Sequence, residues 1–346
     1  MAYTTIKNPG LYFNTITYTG DGSNPRTLTG VGFQPNWTWL KNRTDDNGHT
    51  LADSVRGANK TLSSDGSGAE VTDKSDGHLD AFTSDGFTVG AGTDDARVNN
   101  SGSNYVAWNW LGANGTASNT DGSITSTVSA NTTAGFSIVK YTGTGSNATI
   151  GHGLGKKPDM LIVKAYEGGQ QWAVQHSALG ATKGIRINTD AAAYTSSTRW
   201  NNTEPTSSVF SVGSEAEVNT SGEDHIAYCF TSIKGYSKFG SYTGNGNADG
   251  PFVYTGFKPA FILIKRTDAA EDWWLHDTKR RTFNPYNAQL YANASTAEVT
   301  ETSEDILSNG FKFRTTNANW NASGGTYIYM AFAEEPLVGD NPATAR

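Results

Sequence analysis

Apolar and polar residues alternate along this chain with a period of two, and no segment carries the 3.6-residue period of an amphipathic helix. The run 105–110 places Val106, Trp108 and Trp110 on one face and Tyr105, Ala107 and Asn109 on the other. The runs 225–230 and 327–332 repeat this with Ile226, Tyr228, Phe230 and Ile328, Met330, Phe332. Three further runs, Trp37–Leu40, Met160–Val163 and Phe261–Ile264, are apolar on both faces, the pattern of a central strand covered on two sides. Each ends in a lysine (Lys41, Lys164, Lys265), where the chain is expected to emerge into solvent. A third strand follows over 49–53, 172–176 and 273–277. Asp85-Gly86 and Asn309-Gly310 signal tight turns before the strands of Phe87 and Phe311, whereas Ser208-Val209 stands at that place in the middle of the chain. The expected fold class is all-β, an antiparallel sandwich of short strands in each third of the chain.

The same elements recur three times. Tyr18-Thr-Gly-Asp-Gly, Tyr141-Thr-Gly-Thr-Gly and Tyr242-Thr-Gly-Asn-Gly open three units. Without a gap, each Tyr is followed by a Pro (Pro35, Pro158, Pro259), the lysine named above and a Phe (Phe87, Phe210, Phe311). Each unit closes with Asn-x-Ser-Gly, beginning at Asn99, Asn219 and Asn321, and then the alternating run. Such self-similarity predicts three tandem homologous modules: module 1 over 1–110, module 2 over 134–233 and module 3 over 234–335, followed by a tail over 336–346. Residues 111–133, rich in Gly, Ser, Thr and Asn, read as a linker. Modules 2 and 3, joined by only Lys234-Gly-Tyr-Ser, are expected to pack closely and module 1 to move more freely.

Composition narrows the function. Of 346 residues, 17% are charged and 11% aromatic, with nine Trp, so the chain can bury enough apolar area to fold. A net charge of −7 without a basic cluster argues against affinity resting on nucleic-acid phosphates. The single Cys229 excludes an intramolecular disulfide and a cysteine-based zinc site, and the six His show no metal-binding spacing. No metal or cofactor is expected. No apolar run is long enough for a membrane helix, so membrane insertion is not expected. The first residues lack a secretory signal pattern, which points to synthesis in a cytoplasm without the usual export.

No catalytic constellation assembles from spacing. Asp53 with Arg56 and Asp277 with Arg280 sit at equivalent places and suit a structural ion pair better than a reaction centre, because module 2 has His176 and Leu179 there. A depolymerase would need two carboxylates about 5–9 Å apart, and nothing brings together two of Glu204, Glu271, Asp272 and Glu298. Aromatic residues give the binding candidates. Trp274 lies beside Trp273 on the opposite side of one strand, so one of the two must find cover outside its own sheet face or meet a ligand. Trp200 with Asn201 and Trp320 with Asn319 stand in polar loops, each combining an apolar ring with amides able to bond sugar hydroxyls. The alternative for all three is packing within or between modules.

Phe13-x-x-x-x-Tyr-Thr-Gly-x-Gly, Gly-Phe-x-Pro at 32–35 and 256–259, the Asp53-Ser-Val-Arg-Gly segment, Tyr105-Val-Ala-Trp-Asn-Trp and the ending from Ala331-Phe-Ala-Glu-Glu-Pro to Pro-Ala-Thr-Ala-Arg together resemble a family of uncharacterised structural proteins of tailed, mostly marine, bacteriophages. The resemblance implies a non-enzymatic virion protein made in the host cytoplasm and released by lysis. Its partners would be other virion proteins, further copies of itself and a host-surface glycan. Two roles follow: a tail-associated or surface-displayed adhesion protein whose repeated modules multiply weak contacts, or a capsid-decorating or filament-forming protein with pseudo-threefold modules.

Overall fold

A computed structural model describes residues 3–90 and 94–344. The chain's regular secondary structure is almost all antiparallel strand, with a 3-10 turn at Pro9–Leu11 and two four-residue α-helical turns at Ala216–Asn219 and Ala318–Asn321. Each module pairs a large sheet with a small one. In module 1 the large sheet runs, in spatial order, Phe13–Thr19, Asn104–Trp110, Trp37–Asn42, Thr50–Asp53, Gly57–Leu62 and Val71–Thr72. Module 3 repeats that order with Ser237–Thr243, Thr326–Pro336, Phe257–Arg266, Trp273–Asp277, Ala288–Tyr291 and Val299–Thr300. Module 2 has the same six as Phe136–Thr142, Asp224–Phe230, Met160–Ala165, Ala173–His176, Lys183–Arg186 and Tyr194–Thr195, extended by two more strands. The small sheets are Arg26–Thr29, Gly86–Gly90 and His78–Thr83 in module 1, and Phe252–Tyr254, Gly310–Phe313 and Glu304–Leu307 in module 3. In module 2 only Ala148–Gly151 and Val209–Val212 remain.

The two extra strands of module 2, Ala117–Asn119 and Ser126–Asn131, come from the segment expected to be a linker. Ser126–Asn131 pairs along Phe136–Thr142, and Ile124 bridges to Ile150 at the edge of the small sheet. Small polar residues dominate the segment, but Ile124, Ser126 and Val128 are buried in alternation with the more open Thr125 and Thr127 and fix it to the sheet.

Double-sided burial follows the sequence pattern. One face of each large sheet packs on its own small sheet, giving three separate cores: Leu40, Ala107 and Phe87 in module 1, Leu161, Val163 and Phe210 in module 2, Ile262, Ile264 and Phe311 in module 3. The other faces all contribute to a fourth core that belongs to the whole chain. Trp37, Trp39, Trp108 and Trp110 meet Met160, Ile162, Tyr228 and Phe230, and both sets meet Phe261, Leu263, Met330 and Phe332 there. Trp37 stacks on Tyr228 at 4.2 Å between ring centroids, Phe13 on Phe332 at 5.0 Å, and Phe332 lies 5.8 Å from Trp110 and 6.1 Å from Phe230. Module 1 is therefore packed against both of the others, whatever the length of chain that joins it. The three modules close on one another as a ring around a common interior.

Equivalent residues do equivalent work. Tyr18, Tyr141 and Tyr242 stack on Tyr105, His225 and Tyr327 at 5.0, 5.0 and 4.7 Å, and their hydroxyls donate to the carbonyls of Val98, Val218 and Trp320. The asparagine that follows each of those carbonyls staples the opening hairpin: its Oδ1 accepts from the amides of Asp21, Thr144 and Asn245, and its Nδ2 donates to the carbonyls of Ser23, Ser146 and Asn247. The first glycine of each Tyr-Thr-Gly-x-Gly has no room for a side chain. A Cβ on Gly20, Gly143 or Gly244 would lie 2.0–2.2 Å from a carbonyl oxygen of the asparagine loop. The second glycine, at 22, 145 or 246, turns the chain with φ near +70°.

Candidate functional site: the junctions between modules

The lysines that close the double-faced strands do not emerge into solvent. Lys41, Lys164 and Lys265 are buried, and each ammonium reaches from its own module to a carbonyl of the next. Lys164 donates to Ser67 O at 3.0 Å, Lys265 to Asp190 O at 2.9 Å and Lys41 to Ser295 O at 3.0 Å. Each also bonds carbonyls of its own module, among them Ala165, Glu271 and Asn42. Carbonyls replace water around the charge without neutralising it, and burial lowers all three from the ordinary lysine value to about 8.

Two more contacts recur at the same junctions. Backbone amides of Glu70, Ala193 and Glu298 donate to the carbonyls of Tyr166, Thr267 and Arg43 at 2.7, 2.9 and 2.9 Å. Trp172 Nε1 donates to Ser63 O at 2.9 Å, Trp273 Nε1 to Arg186 O at 2.8 Å, and the equivalent His49 uses Nε2 toward Tyr291 O at 2.7 Å. Because Trp39 Nε1 donates to His49 Nδ1 at 2.8 Å, the His49 proton sits on Nε2 and the imidazole is neutral. Burial holds His49 down to about 4. In all three sets equivalent residues join module 2 to module 1, module 3 to module 2 and module 1 to module 3, the lysines and ring nitrogens donating in one direction and the backbone amides in the other, so the last contact of the cycle joins the two ends of the chain.

The Asp–Arg pairs complete two of the three junctions. Asp53 Oδ2 is 2.6 Å from Arg56 Nε and accepts from Tyr228 OH of module 2 at 2.8 Å. Glu70 lies 2.8 Å from the same guanidinium. Asp277 pairs with Arg280, accepts from Trp108 Nε1 of module 1 at 3.0 Å, and Glu298 joins Arg280 to Arg43 of module 1. The facing carboxylates raise the already high pKa of Arg56 and Arg280 despite their burial, keeping both charged. At the third junction every member of the set differs. His176, Leu179 and Ala193 stand where the other modules have Asp, Arg and Glu, and the facing strand presents Met330, which has no proton to give. His176 accepts from Ala178 N on Nδ1 and directs Nε2 to Tyr329 O of module 3 at 3.1 Å. The ion pairs are thus structural, as their absence from module 2 suggested, and they also tie neighbouring modules together.

The residues expected to meet a ligand lie elsewhere and mostly inside. Trp200 and Trp320 are 0% exposed and Trp274 is 2% exposed. Trp274 packs 4.4 Å from Trp320 and 4.6 Å from Tyr291 in the core between the two sheets of module 3, and Trp200 lies in the corresponding core of module 2. Trp273, not Trp274, makes the contact between modules. No ring face of the three is open to a sugar. Asn201 is exposed, with φ +51°, and bonds Asn147; Asn319 is half-buried, its amide held by Asn317. Polar loop neighbours did not reveal that these indoles fold back over their own sheets. Cys229 is buried in the module 2 core, which pushes its thiol pKa up. Among the described residues no group of three or more His, Cys, Asp or Glu side chains is arranged to hold a metal ion, and no helix is long and apolar enough to cross a membrane.

Comparison with known proteins places this arrangement in a family. Residues 8–336 match the model of a domain of unknown function, DUF7483, and the chain belongs to that family. The match runs from near the start of module 1 to the end of module 3. No curated protein matches the chain.

Proposed function

We propose that this member of the DUF7483 family is a non-enzymatic structural protein of a tailed-phage particle, in which one chain supplies a threefold body that a simpler subunit would build from three copies. Ring closure carries this reading. The contacts of the lysines, the backbone amides and the indole or imidazole nitrogens each occur once per junction, each set keeping one direction around the ring. Their total effect is to fix three outward-facing small sheets about a shared interior. A body of this kind forms without an association step, so its integrity does not depend on concentration. It suits a threefold position in a head lattice or on the axis of a tail, with other virion proteins and further copies of itself as neighbours. The resemblance of the repeated motifs to phage structural proteins supports the same setting. Decoration or assembly is favoured over adhesion through Trp200, Trp274 and Trp320, whose rings are interior.

Cryo-electron microscopy of the particles assembled by the phage that encodes this chain, reconstructed without imposing threefold symmetry on the site, tests the proposal. The expected result is density for the closed ring at a threefold or pseudo-threefold position. Particles that contain no copy of the chain would overturn it.

A further inference from the structure

The interior of the ring repeats three times, but one surface hollow is lined by residues that do not follow the repeat. At the junction of modules 2 and 3 a groove of about 410 Å³ is lined by Tyr3, Ser232, Lys234, Lys238, Phe239 and Tyr254, among others. A neighbouring hollow of about 380 Å³ shares Tyr3, Ser232 and Lys234 and adds Lys156. No carboxylate lines either hollow. The walls are preorganised. Tyr3 OH donates to Gly256 O at 2.6 Å, Lys234 Nζ sits 4.6 Å from the Tyr3 ring, and Lys238 Nζ sits 5.2 Å from the Tyr254 ring while donating to Tyr254 O. Tyr254 is nevertheless 49% exposed, and Phe252, two residues back on the same strand face, is 45% exposed.

Register shows that these residues are additions to the common plan. Val253, Leu28 and Ile150 pair with Phe311, Phe87 and Phe210 at equivalent places in the small sheets. Their flanking residues are the exposed Phe252 and Tyr254 in module 3, the exposed Thr27 and Thr29 in module 1, and Thr149 and the buried Gly151 in module 2. Four and eight residues before the repeat tyrosine stand Lys238 and Lys234 in module 3, against Asn14 and Gly10 or Ser137 and Thr133 in the others. The fold is built in modules 1 and 2 without these rings and charges, so packing does not require them.

We propose that this groove binds an acidic saccharide, with the apolar face of a pyranose against the open side of Tyr254 and Phe252 and its carboxylate or sulfate among Lys234, Lys238 and Lys156. Exposed tyrosines offer a flat amphipathic surface at small entropic cost, and ammonium groups without neighbouring carboxylates supply the complementary charge. The inference goes beyond the structural role proposed above and does not depend on it, because it concerns what the isolated chain binds.

Titration calorimetry of the full chain at physiological ionic strength, with polygalacturonate, dextran sulfate, neutral dextran and inorganic sulfate as separate probes, tests it. Binding is expected for at least one of the two acidic polysaccharides and not for neutral dextran. Tyr254→Ala and the double variant Lys234→Glu/Lys238→Glu should each weaken it tenfold or more, with an unchanged melting temperature, and Lys183→Glu in module 2 should leave it unaffected. Preference for polygalacturonate or for dextran sulfate identifies which acidic group is read. Failure of both polysaccharides to bind, binding that Tyr254→Ala leaves intact, or equally tight binding of inorganic sulfate would each overturn the saccharide site.

Discussion

His176 is informative because it changes together with what it faces. Where a closing strand offers a proton, from Tyr228 or Trp108, the opposite module supplies Asp53 or Asp277 with its arginine. Where the strand offers Met330, the opposite module supplies a histidine that donates to a carbonyl instead. A buried carboxylate without donors costs several kcal/mol, so an aspartate facing Met330 with Leu179 in place of arginine would be untenable. Two substitutions follow from this. Tyr228→Phe removes one donor from a carboxylate that keeps Arg56, and should lower stability by about 1–3 kcal/mol in urea unfolding. His176→Asp buries an unpaired charge and should cost more, about 3–5 kcal/mol. Acid should act at the same places. Burial holds both His49 and His176 at about 4, below the ordinary histidine value of 6.5, so as pH falls the unfolded chain takes up these protons first. Stability present above about pH 6.5 is lost toward pH 4. The urea midpoint should fall between pH 6.5 and 5, and the double variant His49→Gln/His176→Gln, which cannot take up a proton at either place, should show a flatter curve there.

At the scale of elements, the central strands were legible and their surroundings only partly so. The period-two runs at 105–110, 225–230 and 327–332 and the double-faced runs after each proline identify the central strands, because covering two faces leaves a mark on every residue. The same mark does not say what provides the cover. Trp37 and Trp39 read as buried on one face, yet nothing in their spacing distinguishes a small sheet of their own module from two other modules. The lysines misled for a related reason: a charge at a strand end ordinarily meets water, whereas Lys164 is held by Ala165 and Gln170 of its own module and by Ser67 from a loop of module 1. Lys164→Met should therefore leave carbonyls unpaired at the junction and cost about 2–4 kcal/mol at pH 7, despite removing a buried charge. Because burial depresses the three lysines to about 8, the unfolded chain binds more protons than the folded one from there to the ordinary value of 10.5. Their share of stability thus rises with pH across that window, and Lys164→Met should reduce the rise measured between pH 8 and 9.5.

At the scale of the whole molecule, three sandwiches that look separable in sequence share the apolar face of each large sheet. A module detached from the others would expose its part of that interior, including Trp37, Trp108 and Trp110 in module 1 or Phe261 and Phe332 in module 3. Stability accordingly belongs to the ring and not to its parts. Closure also explains why the connection from module 1 to module 2 tolerates a long insertion: contacts between modules, not the joining chain, set their placement. Differential scanning calorimetry of the full chain measures this coupling directly. A shared interior predicts one transition whose calorimetric and van't Hoff enthalpies agree; successive transitions, or a calorimetric enthalpy near three times the van't Hoff value, would show modules that unfold independently and would contradict the closed ring.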